Sequence, residues 1–313
     1  MVLSTLHYSL LAVVAILTFA TVVASILGQM NPENKTLKNV MIIVRSWWLI
    51  VIVIGTAMAL GKYALLALFF SISLLVLNEY LKRSLYGNGR RRLLFFILAS
   101  TLVLQYVALV EKWDELFLFL IPIAALSVIP LVIILTHSIS NLPLAFGVVV
   151  GLMLLNYYLS HIPALVFTQK ILWDYDGQSM LAVLILIFFT ECNDVFQFLS
   201  GKLFGRRKIV PHVSPNKTEM GFIGGILCTT IATAFGAPLI LDITKMQGAS
   251  LGLAIAIFGI LGDLFFSAVK RHLQIKDFSQ ALPGHGGFID RIDSLIFTAP
   301  IYFHLLTYIK RIP

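Results

Sequence analysis

A polytopic, all-α bundle of about ten transmembrane helices with a polar site on its cytoplasmic side is the fold this sequence predicts. Three observations carry it: continuous apolar runs, a scarcity of charge, and basic residues gathered in alternate loops. Of the 313 residues, 59% are hydrophobic and 12% charged, against roughly 25% charged in an average soluble domain. A soluble globule of this length could not bury so much apolar surface. Runs of about 18 to 23 apolar residues instead match a hydrocarbon core roughly 30 Å thick. The runs are continuous rather than alternating, which sets aside a lipid-spanning β-barrel.

Taken in order, the spans are expected near 7–28, 41–60, 62–80, 93–110, 115–136, 142–161, 179–199, 220–242, 249–268 and 294–309. The first lacks a basic leader and is too long for the apolar core of a secretory signal, so it reads as a span. Gly61 and Lys62 make the shortest gap. The two cysteines, Cys192 and Cys228, fall inside apolar segments, so a disulfide framework is not implied.

Ten spans place both termini on one side, and the cations test that arrangement independently. The odd-numbered loops hold sixteen of the 23 Lys and Arg residues: Lys35 and Lys38; Lys82, Arg83, Arg90, Arg91 and Arg92; Lys202, Arg206, Arg207, Lys208 and Lys217; Lys270, Arg271, Lys276 and Arg291. The even loops and tails hold six, and Arg45 lies within a span. The whole chain has a net charge of +8, and by the positive-inside rule the odd loops face the cytoplasm. Ionisable groups are sparse in the spans before residue 178. Two longer cytoplasmic loops, 200–219 and 269–293, follow it. The chain therefore divides into a membrane scaffold, 1–178, and a catalytic region, 179–313.

An acid within a span costs about 2.5 to 3.5 kcal/mol on insertion scales, which makes each one a candidate for function. The spans after residue 178 offer three: Glu191, Asp194 and Asp263. Snorkelling or a packing hydrogen bond is the competing account, and for Glu191 it stands equal. Asp263, Ser267, Lys270 and Arg271 share one helical stripe at i, i+4, i+7 and i+8. Asp290 and Asp293 share a face at i, i+3, at the start of the last span. Between them Pro283-Gly-His-Gly-Gly287 is too flexible for a helix. Carboxylates suit a hard cation such as Mg²⁺, and Lys and Arg beside them suit phosphate.

The loop 200–219 offers Ser214-Pro-Asn-Lys217-Thr218 and a basic, Gly-interrupted run. It could hold a triphosphate, or serve only as a positive-inside anchor; its spacing is not that of a P-loop. The paired glycines of Gly221-Phe-Ile-Gly-Gly225 could simply admit a close helix. His285 reads equally as a phosphate donor or as a loop residue bonded to backbone. No His or Cys cluster has zinc spacing.

The run Ser267-Ala-Val-Lys-Arg271, then Lys276-Asp277-Phe-Ser279, then Leu282-Pro-Gly-His-Gly-Gly287-Phe-Ile-Asp290-Arg-Ile-Asp293 resembles the signature of phosphatidate cytidylyltransferases (CDP-diacylglycerol synthases). Asn193-Asp194, the stretch Gly201 to Gly205 and Ser214 to Thr218 are similar to that family's upstream conserved region. The resemblance covers about residues 178–313. It implies an enzyme that makes CDP-diacylglycerol and pyrophosphate from CTP and phosphatidate in phospholipid biosynthesis. It also implies Mg²⁺ on Asp263, Asp290 and Asp293, with a monovalent cation such as K⁺ beside it.

Asp194, Lys217, Ser267, Lys270, Arg271, Lys276 and Asp277 match polar catalytic positions of the family pocket. Ser214, Lys217, Thr218, His285, Gly286 and Gly287 fall where nucleotide is expected. CTP, phosphatidate, membrane lipids and a second copy in a homodimer are the implied partners, without nucleic acid. The implied location is a bacterial inner membrane. Two departures stand out: Met220 replaces a family Glu, and Asn193-Asp194-Val-Phe-Gln197 replaces Asp-Thr-Gly-Ala-Tyr. They leave room for a divergent paralogue. A non-enzymatic carrier or flippase for an anionic lipid or nucleotide is the alternative, and it predicts broken helices and repeat symmetry that the sequence does not display.

Overall fold

The computed structural model describes residues 2–31, 33–83, 88–136, 142–171, 173, 177–281 and 286–311. Its helices are α1 (Val2–Met30), α2 (Lys35–Leu60), α3 (Lys62–Arg83), α4 (Asn88–Val110), α5 (Asp114–Thr136), α6 (Leu142–Val150) and α7 (Leu159–Phe167). After these come α8 (Gln178–Phe204), α9 (Glu219–Gly236), α10 (Pro238–Leu241), α11 (Lys245–His272) and α12 (Ile289–Ile309). A π-helical segment, Gly151–Tyr158, joins α6 to α7 without interruption. Among the described residues, nine helices are long and apolar enough to cross a membrane. The expected fifth span is not one of the nine, yet 115–136 is helical as α5, which is 23 residues long and carries Pro122 and Pro130 inside it.

Side-chain contacts fix which ends of the helices lie together. At one end, Arg83 Nε at the close of α3 donates to Phe278 O at 2.6 Å, and Lys217 before α9 pairs with Asp263 near the end of α11. At the other end, Lys310 Nζ after α12 donates to Leu241 O at 2.9 Å, and Lys170 after α7 pairs with Glu115 of α5 at 2.7 Å. The start of α5 therefore meets the chain just past α7, so α5 and the run 142–167 are antiparallel. The loops after the third, seventh and ninth passes share one end, as the cation distribution requires.

Local chemistry explains the boundaries, including those that differ from expectation. Gly61, at φ +103°, stops α2 and lets α3 start at once. Nothing breaks the ladder before Gly205, so α8 runs five residues past the expected 199, and Gly201 and Lys202 are helical rather than in the loop. A capping box, with Gln247 N on Thr244 Oγ1 at 3.2 Å and Thr244 N on Gln247 Oε1 at 2.8 Å, starts α11 four residues early. At its far end Gln274 takes φ +54°. Its N–H bonds Arg271 O and that of Ile275 bonds Lys270 O, a Schellman closure that turns the chain back toward the bundle. The expected eighth span, 220–242, is α9 followed by the short α10, divided where Pro238 has no N–H to give.

The densest packing joins α8, α9, α11 and α12. Buried in the bundle are Leu181, Leu186, Ile255, Phe266, Ile296 and Tyr302. The contact of α9 with α8 is backbone-close. A Cβ on Gly221 would stand 2.9 Å from Gln197 O and 3.3 Å from Gly201 Cα. Those glycines serve helix packing, the plainer of the two roles the sequence allowed.

Candidate active site

Three helices, α8, α11 and α12, and the loop before α9 deliver polar side chains to the same end of the bundle. The stripe on α11 is intact in the helix: Ser267 Oγ donates to Asp263 Oδ1 at 3.3 Å, and Lys270 Nζ reaches Asp290 Oδ1 at 2.7 Å. Lys217, from the loop before α9, lies between helices. Its ammonium group is 2.5 Å from Asp263 Oδ2 and donates to Gln197 Oε1 at 3.0 Å. Gln197 Nε2 in turn donates to Asp194 Oδ1 at 3.2 Å, and Ser294 Oγ to Asp194 Oδ2 at 3.2 Å. Asp293 accepts from Ser294 N at 2.8 Å and lies within electrostatic reach of Asp263, Asp194 and Lys270.

Burial works against the Lys217 charge, but the carboxylates of Asp263, Asp194 and Asp293 more than offset it. Its ammonium group is held above the usual lysine range. Thr218 next to it caps α9, its Oγ1 accepting from Gly221 N at 3.1 Å. That cap, with the short pairing of Lys208 and Thr218, fixes where Lys217 enters the cluster.

Asp290 is held differently from the other acids. Besides Lys270 at Oδ1, its Oδ2 accepts from Phe278 N and from Gly287 N, both at 2.9 Å. Gly286 sits at φ +81°, and a Cβ there would come 3.0 Å from Asp290 Oδ2 and 3.4 Å from Asp277 Oδ1, so the turn calls for glycine. Among the described residues, no three His, Cys, Asp or Glu side chains are assembled to hold a metal as they stand. Ammonium groups lie against Asp263 and Asp290.

The other expected residues spread around this core. Arg271 Nε donates to Val213 O at 3.1 Å, tying α11 to the loop 205–218. Ser214 N bonds Val210 O at 2.8 Å within that loop. Lys276 is exposed and Asp277 half-buried beside Gly286. His285 lies outside the described residues. Sequence reasoning missed Ser294 and gave no role to Gln197, which with it links the acids, or to Asn193, which accepts from Thr229 Oγ1 at 3.1 Å. It also missed Glu79 of α3, whose Oε2 accepts from Ile289 N at 2.8 Å. The i, i+4 pair Asn193 and Gln197, facing glycines four apart on α9, was the available signal.

The arrangement concentrates negative charge. Lys217 meets Asp263 and Lys270 meets Asp290, whereas Asp194 and Asp293 rest on neutral donors. Such a surplus of carboxylate oxygens suits a hard divalent cation. Lysines inside it and arginines at its rim suit an anionic, phosphorylated substrate.

Comparison with known proteins agrees with this chemistry. Over 304 residues, 97% of this chain and 99% of the relative, it is 36% identical to the uncharacterized protein YnbB of Escherichia coli (strain K12). It is 44% identical over 115 residues to phosphatidate cytidylyltransferase of Bacillus subtilis (strain 168), covering 36% of this chain and 43% of the relative. The corresponding enzyme of Aquifex aeolicus (strain VF5) is 39% identical over 128 residues, 41% of this chain and 48% of the relative. The matched stretch thus spans less than half the length of those two enzymes. A profile of the cytidylyltransferase family, however, matches residues 40–309, from α2 to the end of α12 and through every acid and lysine of the cluster: the chain belongs to the cytidylyltransferase family.

Proposed function

We propose that the protein is a phosphatidate cytidylyltransferase, making CDP-diacylglycerol and pyrophosphate from CTP and phosphatidate. The observation that carries the reading is Lys217 set among Asp194, Asp263 and Asp293, at the end of a membrane bundle flanked by basic loops. A phosphate oxygen of phosphatidate attacks the α-phosphorus of CTP, and the bond to the β,γ-pyrophosphate breaks. The nucleophile is already ionised, so catalysis rests on positioning and charge neutralisation rather than on a strong base.

Lys217 and Lys270 move from their carboxylate partners toward phosphate oxygens as substrate enters. Gln197 and Ser294 hold Asp194 in place. Arg271, Lys276 and the Ser214–Thr218 loop gather the triphosphate, with the turn at Gly286 and Gly287 beside them. Asp263, Asp290 and Asp293 would hold Mg²⁺, which fits the carboxylate surplus, and the ion would neutralise charge on the phosphates. A monovalent cation such as K⁺ has the same oxygen-rich surroundings available.

The sixteen cations on odd loops support a site facing the cytoplasm, and the bacterial relatives support the inner membrane. Purified protein in mixed micelles with α-labelled CTP, phosphatidate and Mg²⁺ tests the reading. Label should enter the lipid phase only when phosphatidate is present. Label that crosses vesicle membranes without joining lipid would instead establish a carrier.

A further inference from the structure

Helix α12 begins without a cap of its own, although its first turn bears Asp290 and the next turn Asp293. Its N-cap residue, Phe288, makes no side-chain capping bond. The first helical amide, Ile289 N, donates instead to Glu79 Oε2 at 2.8 Å, a carboxylate from α3 far away in sequence. Glu79 is only 6% exposed, and its Oε1 has no hydrogen-bond partner among the described residues. That oxygen faces Gly287: a Cβ on Gly287 would collide with the Glu79 carboxylate. A negative charge at a helix N-terminus is favourable, since the first amides point out of the helix unpaired.

One turn along α3, Arg83 Nε donates to Phe278 O at 2.6 Å. Phe278 and Gly287 are the two residues whose amides hold Asp290 Oδ2. Two side chains of α3 therefore grip both backbone strips that orient Asp290: Arg83 by the carbonyl of Phe278, Glu79 by the amide two residues after Gly287.

We propose that Glu79 and Arg83 are positioning residues for cytidylyl transfer, clamping the α11–α12 connection so that Asp290, Asp293 and Lys270 keep their reactive geometry. The idea rests on the reading of the site given above. It also gives the amino-terminal half of the bundle a direct part in a site otherwise built from residues after 178. Glu79→Met keeps length and apolar stem and removes both oxygens; Glu79→Gln keeps one acceptor for Ile289.

The full-length protein in nanodiscs is compared in two ways. In hydrogen–deuterium exchange, the segment 286–293 of Glu79→Met should exchange about tenfold faster than wild type, since an unpaired buried amide opens locally. The core of α8 and α11 should be unchanged. In steady-state turnover, kcat should fall by about a hundredfold, the effect of misplacing reacting groups by on the order of 1 Å, with KM for CTP nearly constant. Glu79→Gln should recover most of both signals.

Exchange at 286–293 equal to wild type in Glu79→Met would overturn the clamp. So would faster exchange across all helices, which marks a general stabilising role, or local loosening with kcat intact. Wild-type protein without any transferase activity would defeat the proposed reaction alone. The exchange data would still decide whether Glu79 holds the start of α12.

Discussion

Lys217 joins three acids from different helices, and replacing it with methionine probes that junction with little change of shape. Its ammonium group is 2.5 Å from Asp263 Oδ2, and the side chains are 22% and 20% exposed. Removing one partner of a fully buried pair costs about 3–5 kcal/mol. Residual solvent access screens part of that, so about 2 kcal/mol is the figure for this pair. In a chain of this size about 2 kcal/mol lowers Tm by roughly 4 °C. The double variant Lys217→Met with Asp263→Asn removes both charges and should recover most of the lost Tm.

The pH dependence of this pair has a definite sign. The Lys217 ammonium is held above its usual range, so its contribution is complete below the ordinary lysine value of 10.5. It fades only as pH climbs through the raised value. The coupling measured in the double-mutant cycle should thus be equal at pH 7 and pH 9 and shrink above about 10.5. Activity should behave differently from stability. Lys217→Met should lower kcat/KM about a hundredfold or more, and the double variant should not restore it. Thermal unfolding in detergent, with turnover on the same samples, reads both. Strictly additive Tm shifts would refute the Lys217–Asp263 contact, and wild-type kcat/KM in Lys217→Met would refute its role toward phosphate.

The remaining predictions concern the acids, the rim and the packing. Asp263→Asn, Asp290→Asn and Asp293→Asn should each insert and fold yet lose about a hundredfold or more in activity, with Mg²⁺ titration curves displaced to higher concentration; unaltered curves in all three would retire the metal assignment. Arg271→Ala breaks only the bond to Val213 O, so Tm should change little while KM for CTP rises several-fold, on the order of 1 kcal/mol. Gly221→Val should push α9 off Gln197 and Gly201, lowering Tm by several degrees, at about 1–3 kcal/mol for overpacking, together with activity; a calorimetric scan unchanged from wild type would refute the close contact.

Much of the bundle was legible because hydropathy and charge act over whole segments. Nine of the ten expected spans, the shared end of three basic loops, the α11 stripe and the Asp290–Asp293 pair follow from period and placement alone. Which side chains meet across helices was not legible. Helix rotation decides it, and a lipid-facing and a protein-facing apolar residue look alike in sequence. Lys217 could thus be recognised as a phosphate candidate without Asp263 being recognisable as its partner. Ser294 escaped notice, and Gln197 received no role, because a search for charge passes over neutral groups. Glu79 and Arg83 escaped because the region before 178 was read as scaffold, and their partners are backbone amides and carbonyls, which carry no sequence signature. Boundaries moved for local reasons: the capping box at Thr244 and the Schellman turn at Gln274 lengthened α11 at both ends.

The central claim is that this cluster transfers a cytidylyl group to phosphatidate. It is tested most directly with two preparations of CTP, one labelled at the α-phosphate and one at the γ-phosphate, each incubated with purified protein, phosphatidate and Mg²⁺. The account predicts that α-label passes into a liponucleotide while an equal amount of γ-label is released as pyrophosphate, and that Asp263→Asn abolishes both. Gamma-label freed as orthophosphate with no label in lipid, or α-label in lipid undiminished in Asp263→Asn, would contradict it.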